Sequence, residues 1–189
     1  MKKLLLIGLL AMSGLAHALE VAGVRFDDTT RLGAQELQLN GAGLRTRFFV
    51  KVYAAGLYLP EKKTQTADVL TLTGGKRLRI AMLREISASQ FVEAMNEGLH
   101  KNLSEAEFAS LKPRIDELGA AMLTAKTAQK GDVIHFDWNP GSGTRVTLND
   151  KPLGKEIAGE DLYRAVTRIW LGDKPVQDDL KDALLGKLK

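Results

Sequence analysis

Leu39–Leu59 reads LNGAGLRTRFFVKVYAAGLYL: two glycines around an alanine, an arginine, then a run rich in β-branched and aromatic residues that ends in two tyrosines. Val, Phe and Tyr suit a pleated, half-buried surface, so the stretch predicts an extended segment through Leu44–Tyr53. In an uninterrupted strand, alternation places Arg45, Arg47, Phe49, Lys51 and Tyr53 on one face and Phe48, Val50 and Val52 on the other. One face is apolar. The other carries cations and a phenol, a pattern that a solvated sheet face also shows.

Outward from this block, the residues between Leu19 and Leu39 alternate apolar and polar types around Gly23 and Gly33, which predicts short strands joined by turns. Downstream, Asp68–Leu72 and Leu78–Leu83 flank Gly74 and Gly75 and read as a hairpin, with Leu78, Ile80 and Met82 inward and Arg77 and Arg79 outward. At Ser87 the period changes: Phe91, Met95, Leu99 and Leu103 recur every fourth residue, and Ser87 with Gln90 fits a capping box. Ser104 with Glu107 opens a second helix striped by Phe108, Leu111, Ile115, Leu118 and Met122, with Pro113 as a kink or a first-turn residue. Asp132–Trp138 and Thr144–Leu148 form a hairpin across Asn139–Gly143, and Asn149-Asp150 opens another turn. Glu160–Leu171 is helical, stopped by Gly172, and a short helix over Val176–Leu185 closes the chain. Strands, two helices, a hairpin and further helices predict an α+β fold, an antiparallel sheet covered on one face by helices.

The N-terminus, MKKLLLIGLLAMSGLAHA, pairs two lysines with an apolar run from Leu4 to Leu15 and a small-x-small ending, the pattern of a signal peptide cleaved after Ala18. Its apolar run is shorter than the roughly 20 residues a membrane span needs, and no later segment reaches that length. Residues 1–18 are therefore expected to be a leader and 19–189 one domain, periplasmic or secreted, with no stable membrane insertion once the leader is cut. Export permits disulfides, yet the chain has no cysteine, which excludes thiol chemistry. Removing Lys2 and Lys3 from the 27 cationic side chains leaves 25 against 23 carboxylates, a formal +2 with the signs interspersed. That balance, without a basic stripe interleaved with aromatics, argues against a nucleic-acid partner.

Two motifs in order carry a family resemblance. Gly41, Ala42, Gly43 and Arg45, followed by Val50, Lys51, Ala54, Gly56, Tyr58 and Leu59, resemble the Gly-Ala-Gly-x-Arg element and the Val-Lys-x-x-Ala-x-Gly-x-Tyr-Leu strand of the chalcone isomerase-like superfamily. Near the C-terminus, IWLGDKPVQDDL from Ile169 to Leu180 resembles that superfamily's Ile-Gly-x-x-x-Val-x-x-x-Leu ending. The resemblance implies an open-faced β-sandwich. Its plant isomerases cyclise a hydroxychalcone with an arginine in the glycine-rich element, a strand threonine, a helix tyrosine and asparagine, and a threonine near the C-terminus. Arg45 matches the arginine. Tyr53 stands at the strand threonine and instead resembles the fatty-acid-binding branch, in which an arginine and a tyrosine hold the carboxylate. Ile169 replaces the C-terminal threonine, and Asn96 is the nearest helix counterpart, with Ser89 or Gln90 near the tyrosine position.

A guanidinium fork matches a carboxylate, and a phenol can donate a further bond to the same oxygen. Arg45 and Tyr53 are thus the candidate clamp, with Arg47, Lys51, Asn96 and Ile169 as a supporting set. At about 0.8 kcal/mol per buried methylene, a tail of on the order of ten methylenes supplies up to about 8 kcal/mol before association costs. The expected function is an exported, non-catalytic binder of a fatty acid or a similar amphipathic carboxylate, held between sheet and helices. The alternatives are an isomerase of the intramolecular lyase type acting on an enone, with Arg45 stabilising an oxyanion, and an accessory protein acting through its surface. No cofactor is expected. Nor is a metal: beside the His135–Asp137 pair, His100 is the one other histidine after the leader. Gly41-Ala42-Gly43 begins like a dinucleotide fingerprint, but Thr46 stands where a third glycine belongs and a strand follows, so the glycines read as a turn.

Overall fold

The Leu39–Leu59 stretch folds as a hairpin rather than as one continuous strand from Leu44 to Tyr53. In a computed structural model describing residues 18–188, β4 (Gln35–Arg47) runs to a two-residue turn at Phe48 and Phe49 and returns as β5 (Val50–Leu59), with Arg47 opposite Val50. Both turn residues have positive φ, 48° and 64°. That is the backbone a two-residue hairpin demands, and Asn-Gly is its usual sequence. Adopting it with an L-phenylalanine costs roughly 1–2 kcal/mol per residue. The expected leader, residues 1–18, lies outside the described residues except for Ala18.

Two earlier strands precede this hairpin, β1 (Ala18–Val21) and β2 (Val24–Asp27), and β3 (Thr29–Leu32) pairs with β4. After β5 come a short helix α1 (Thr66–Thr71), β6 (Lys76–Met82), β7 (Ile86–Ser87), α2 (Ala88–Asn102), α3 (Glu105–Leu123) and β8 (Thr127–Ala128). The chain ends with β9 (Val133–Asn139), β10 (Gly143–Leu148), β11 (Lys151–Pro152), α4 (Glu160–Leu171) and α5 (Asp178–Leu184). Seven strands form an antiparallel sheet in the order β11-β10-β9-β6-β5-β4-β3. Asp68–Leu72 does not pair with β6, because β5 and β9 fill both of its edges; most of that run is helical and buries Val69. Short apolar runs do not distinguish the two periods.

Helices cover one sheet face. There Leu57, Ile80 and Phe136 from the sheet meet Leu99, Ile115 and Val166 from α2, α3 and α4, each fully buried aliphatic contributing roughly 1.5–3 kcal/mol. Both expected capping boxes are present, at Ser87/Gln90 and Ser104/Glu107. Pro113 sits in mid-helix on the exposed side of α3, where water can serve the carbonyl it leaves unpaired. The opposite face carries a smaller cluster of Phe26, Leu32, Leu37, Leu39, Ala42, Ala54 and Tyr58, covered by the β1–β2 hairpin. Tyr58 donates its hydroxyl to the Asp27 carbonyl at 3.1 Å. His135 and Asp137 are buried at this sheet, where Asp137 accepts both arms of Arg77 at 2.7 and 2.8 Å.

The glycines of the first motif mark close approaches. A Cβ on Gly41 would run into the Ala183 carbonyl, and one on Gly43 would lie 2.7 Å from the Ala183 side chain, so α5 can rest on β4 only where side chains are missing. Gly56 makes the same room on the other face for the Phe26 ring, 2.5 Å from where its Cβ would stand. Asn40 is the extra residue of a bulge between the Leu39–Tyr58 and Gly41–Leu57 pairs. Its amide donates to the carbonyls of Lys63 and Leu184 and accepts from the Lys63 N–H at 2.7 Å. The bulge shifts the phase of β4 by one residue. Leu37 and Leu39 face the small cluster before it, and Gly41, Gly43 and Arg45 face the helices after it.

Candidate functional site

Arg45 and Tyr53 are cross-strand partners, and directly opposed residues of an antiparallel pair share a face. They meet on the helix side through the hairpin register, not through alternation along one strand. A second bulge, with Val52 as the extra residue, separates the Arg45–Tyr53 pair from Thr46–Lys51. Lys51, opposite Thr46, faces away from Arg45 while Arg47 stays with it, which corrects the expectation that all four share one side. Within the open part of the sheet, Arg45, Val52 and Tyr53 border a cleft of about 670 Å³ closed on its other side by α2, α4 and the segment before α5. That volume falls in the usual range for small-molecule sites.

The cleft has a dry floor and a charged rim. Tyr53, Met95, Ile169 and Trp170 are buried, and Phe91 and Val176 form apolar walls. Exposed Arg47, Arg84, Lys101 and Lys174 surround the mouth together with Glu85, Glu93 and Glu97. On α2, Phe91, Met95 and Gly98 follow one another at helical spacing along the cleft side; Asn96, one step of about 100° from Met95, lies outside the lining. Gly98 is required where α2 crosses α4, since a Cβ there would stand 2.8 Å from the Ile169 Cγ2.

Two residues of the C-terminal motif hold the pair in place. Gln177 accepts from Arg45 Nη1 at 3.0 Å and from the Thr46 N–H at 2.9 Å, and its own amide donates to the Leu44 carbonyl at 3.1 Å. Arg45 Nη1 also donates to the Thr46 carbonyl at 2.8 Å. Among the described residues, Nε and Nη2 of Arg45 find no acceptor, so the guanidinium keeps donors for a guest. Trp170 donates its indole N–H to the Tyr53 hydroxyl oxygen at 2.9 Å. With its oxygen already accepting, the phenol has its proton to give. Burial pushes the Tyr53 phenol up to about 12, while the Trp170 bond and the Arg45 charge act in the opposite direction. At neutral pH it is a hydrogen-bond donor and no base.

Neither Gln177 nor Trp170 is among the candidate residues that the sequence offers. The signal for both lay in the C-terminal motif, where Gln177 directly precedes the acidic first turn of α5 and Trp170 adjoins Ile169. Trp138 and Tyr163 are core residues, packed on each other with ring centroids 6.4 Å apart. Among the described residues, no three His, Cys, Asp or Glu side chains gather in a metal-binding group, and no helix is long and apolar enough to cross a membrane.

An antiparallel sheet backed by helices and parted at one end over a ligand-sized, cation-rimmed cleft defines an open-faced sandwich with an internal site. The chain belongs to the chalcone isomerase-like family, whose model matches residues 18–186. Among solved structures it is similar to a fatty-acid binding protein of Arabidopsis thaliana, with a TM-score of 0.68 and 14% identity over 89% of this chain and 96% of that one. At that identity the likeness establishes the fold. No functionally curated protein matches the sequence.

Proposed function

We propose that this protein is an exported, non-catalytic carrier of a fatty acid or a similar amphipathic carboxylate. The observation that carries the reading is the Arg45–Tyr53 pair, braced by Gln177 and Trp170 beside an apolar cleft. The guanidinium supplies the charge that a half-buried carboxylate requires, and the phenol supplies a second donor. Val52, Phe91, Met95 and Val176 offer the tail an apolar wall. Binding is favoured over isomerisation because Ile169 brings a methyl-bearing side chain where a reacting enone would need an orienting hydroxyl, and because a phenol held up at about 12 does not abstract protons at neutral pH. Support for export comes from the leader pattern, with the family match beginning at residue 18.

Native mass spectrometry of the protein recovered from the periplasm tests both parts. The expected spectrum shows a chain starting at Leu19 with an acyl carboxylate bound, and the bound mass disappears in Arg45→Ala. Retention of the same lipid by that variant defeats the clamp.

A further inference from the structure

Among the described residues, Phe48 and Phe49 are the most exposed large hydrophobic side chains. Phe48 is 83% exposed and Phe49 fully so, and Val50 beside them is half exposed. Most large exposed hydrophobics can be ascribed to partial packing, but here two adjacent phenyl rings project from a turn whose backbone both residues adopt against their own preference. An Asn-Gly pair would make the same turn without strain, so the fold itself gains nothing from the rings. Cations surround them. The Arg47 guanidinium lies 5.6 Å from the Phe48 ring centre, Lys51 follows two residues after the turn, and Arg84, Lys101 and Lys174 stand around the cleft mouth that Phe48 itself borders. These make five cations against Glu85, Glu93 and Glu97, of which Lys101 and Glu97 neutralise each other at 2.5 Å.

We infer that the Phe48-Phe49 tip is a docking wedge that inserts between the headgroups of an anionic lipid surface, with Arg47 and Lys51 against the phosphates and the cleft mouth facing the membrane. The tip is convex, and a fluid acyl layer reshapes around a wedge whereas a folded partner would need a matching groove. Aromatic rings beside basic side chains suit the boundary between headgroup and hydrocarbon. A second copy of this chain is the weaker occupant, since apposed tips would bring Arg47 and Lys51 of one molecule onto the same cations of the other. The docking does not depend on what fills the cleft.

The test is co-flotation with vesicles of phosphatidylglycerol and phosphatidylethanolamine, compared with phosphatidylcholine alone. All proteins begin at Leu19, the expected mature N-terminus, because the apolar leader would bind bilayers by itself. The parent protein is expected to float with the anionic vesicles and to be released by raised salt. Phe48→Asn combined with Phe49→Gly, a pair suited to the turn, is expected to keep or raise the melting temperature while weakening flotation at least tenfold. Arg45→Ala is expected to float like the parent, so loss of ligand and loss of docking are read separately. Equal flotation of the tip variant, equal binding to neutral vesicles, or no flotation at all overturns the wedge. So does a micromolar dimer that the tip variant dissolves, which would assign the rings to self-association.

Discussion

The two halves of the β4–β5 hairpin use the same pair of strands for opposite purposes. At the root, Gly41, Gly43 and Gly56 lie against α5 and the Phe26 ring with no room for a methyl group, and both faces are dry. Past the Arg45–Tyr53 pair the strands run free of covering helices, border a cleft and end in two exposed rings on a strained turn. Close packing at one end anchors a hairpin whose other end is left unpacked, and it is the unpacked end that holds the candidate chemistry. Stability and binding should therefore separate along a single element.

The largest effect is expected at the root. Gly41→Ala should destabilise the protein by about 3 kcal/mol or more, because its Cβ meets a backbone carbonyl that cannot swing aside; urea unfolding measures it, and a loss under about 1 kcal/mol would mean that α5 is loosely seated. Next comes Arg45→Ala, expected to weaken a long-chain carboxylate by on the order of 100-fold, about 2.7 kcal/mol, in calorimetric titration. The same variant should alter the stability of the empty protein by less than about 1 kcal/mol, since its bonds to Thr46 and Gln177 are only half buried.

Tyr53→Phe should cost about tenfold in affinity through one lost donor, about 1.4 kcal/mol. Because the Tyr53 proton is held to about 12, affinity for a carboxylate that stays ionised should be flat between pH 6 and pH 10; a decline starting near pH 8 or 9 would show that the phenol is not so buried. The smallest shift is a gain. Replacing Phe48-Phe49 by Asn-Gly should raise stability by about 1–2 kcal/mol, since the strain relieved at two positions is offset in part by the extra backbone entropy that glycine loses on folding, and a destabilised product would erase the contrast between the two ends.

Much of this contrast could be read from composition, and the unread part has definite causes. The 3.6 period with two capping boxes places α2 and α3 well, whereas Gly41-Ala42-Gly43, which reads as a turn, lies inside β4 and makes room for α5. The turn at Phe48 and Phe49 could not be seen, because Phe-Phe carries none of the Gly, Asn or Asp that marks a two-residue hairpin. The turn sets Lys51 opposite Thr46 and so away from the Arg45 face, and the Val52 bulge then returns Tyr53 to that face, so Arg45 and Tyr53 come out together just as an even separation along one strand would place them. The bulges at Asn40 and Val52 are invisible to alternation for the same reason that they matter, each adding one residue and reversing the phase. Gln177 acts across 132 positions on Arg45, a pairing that only the tertiary fold creates.

The bond from Trp170 to Tyr53 has a practical outcome. The chain has two tryptophans, and one of them is tethered to the tyrosine of the proposed clamp. Its fluorescence should respond to occupancy without any attached dye, so replacing Trp138 with phenylalanine would leave a protein that reports its own cargo through a single native chromophore.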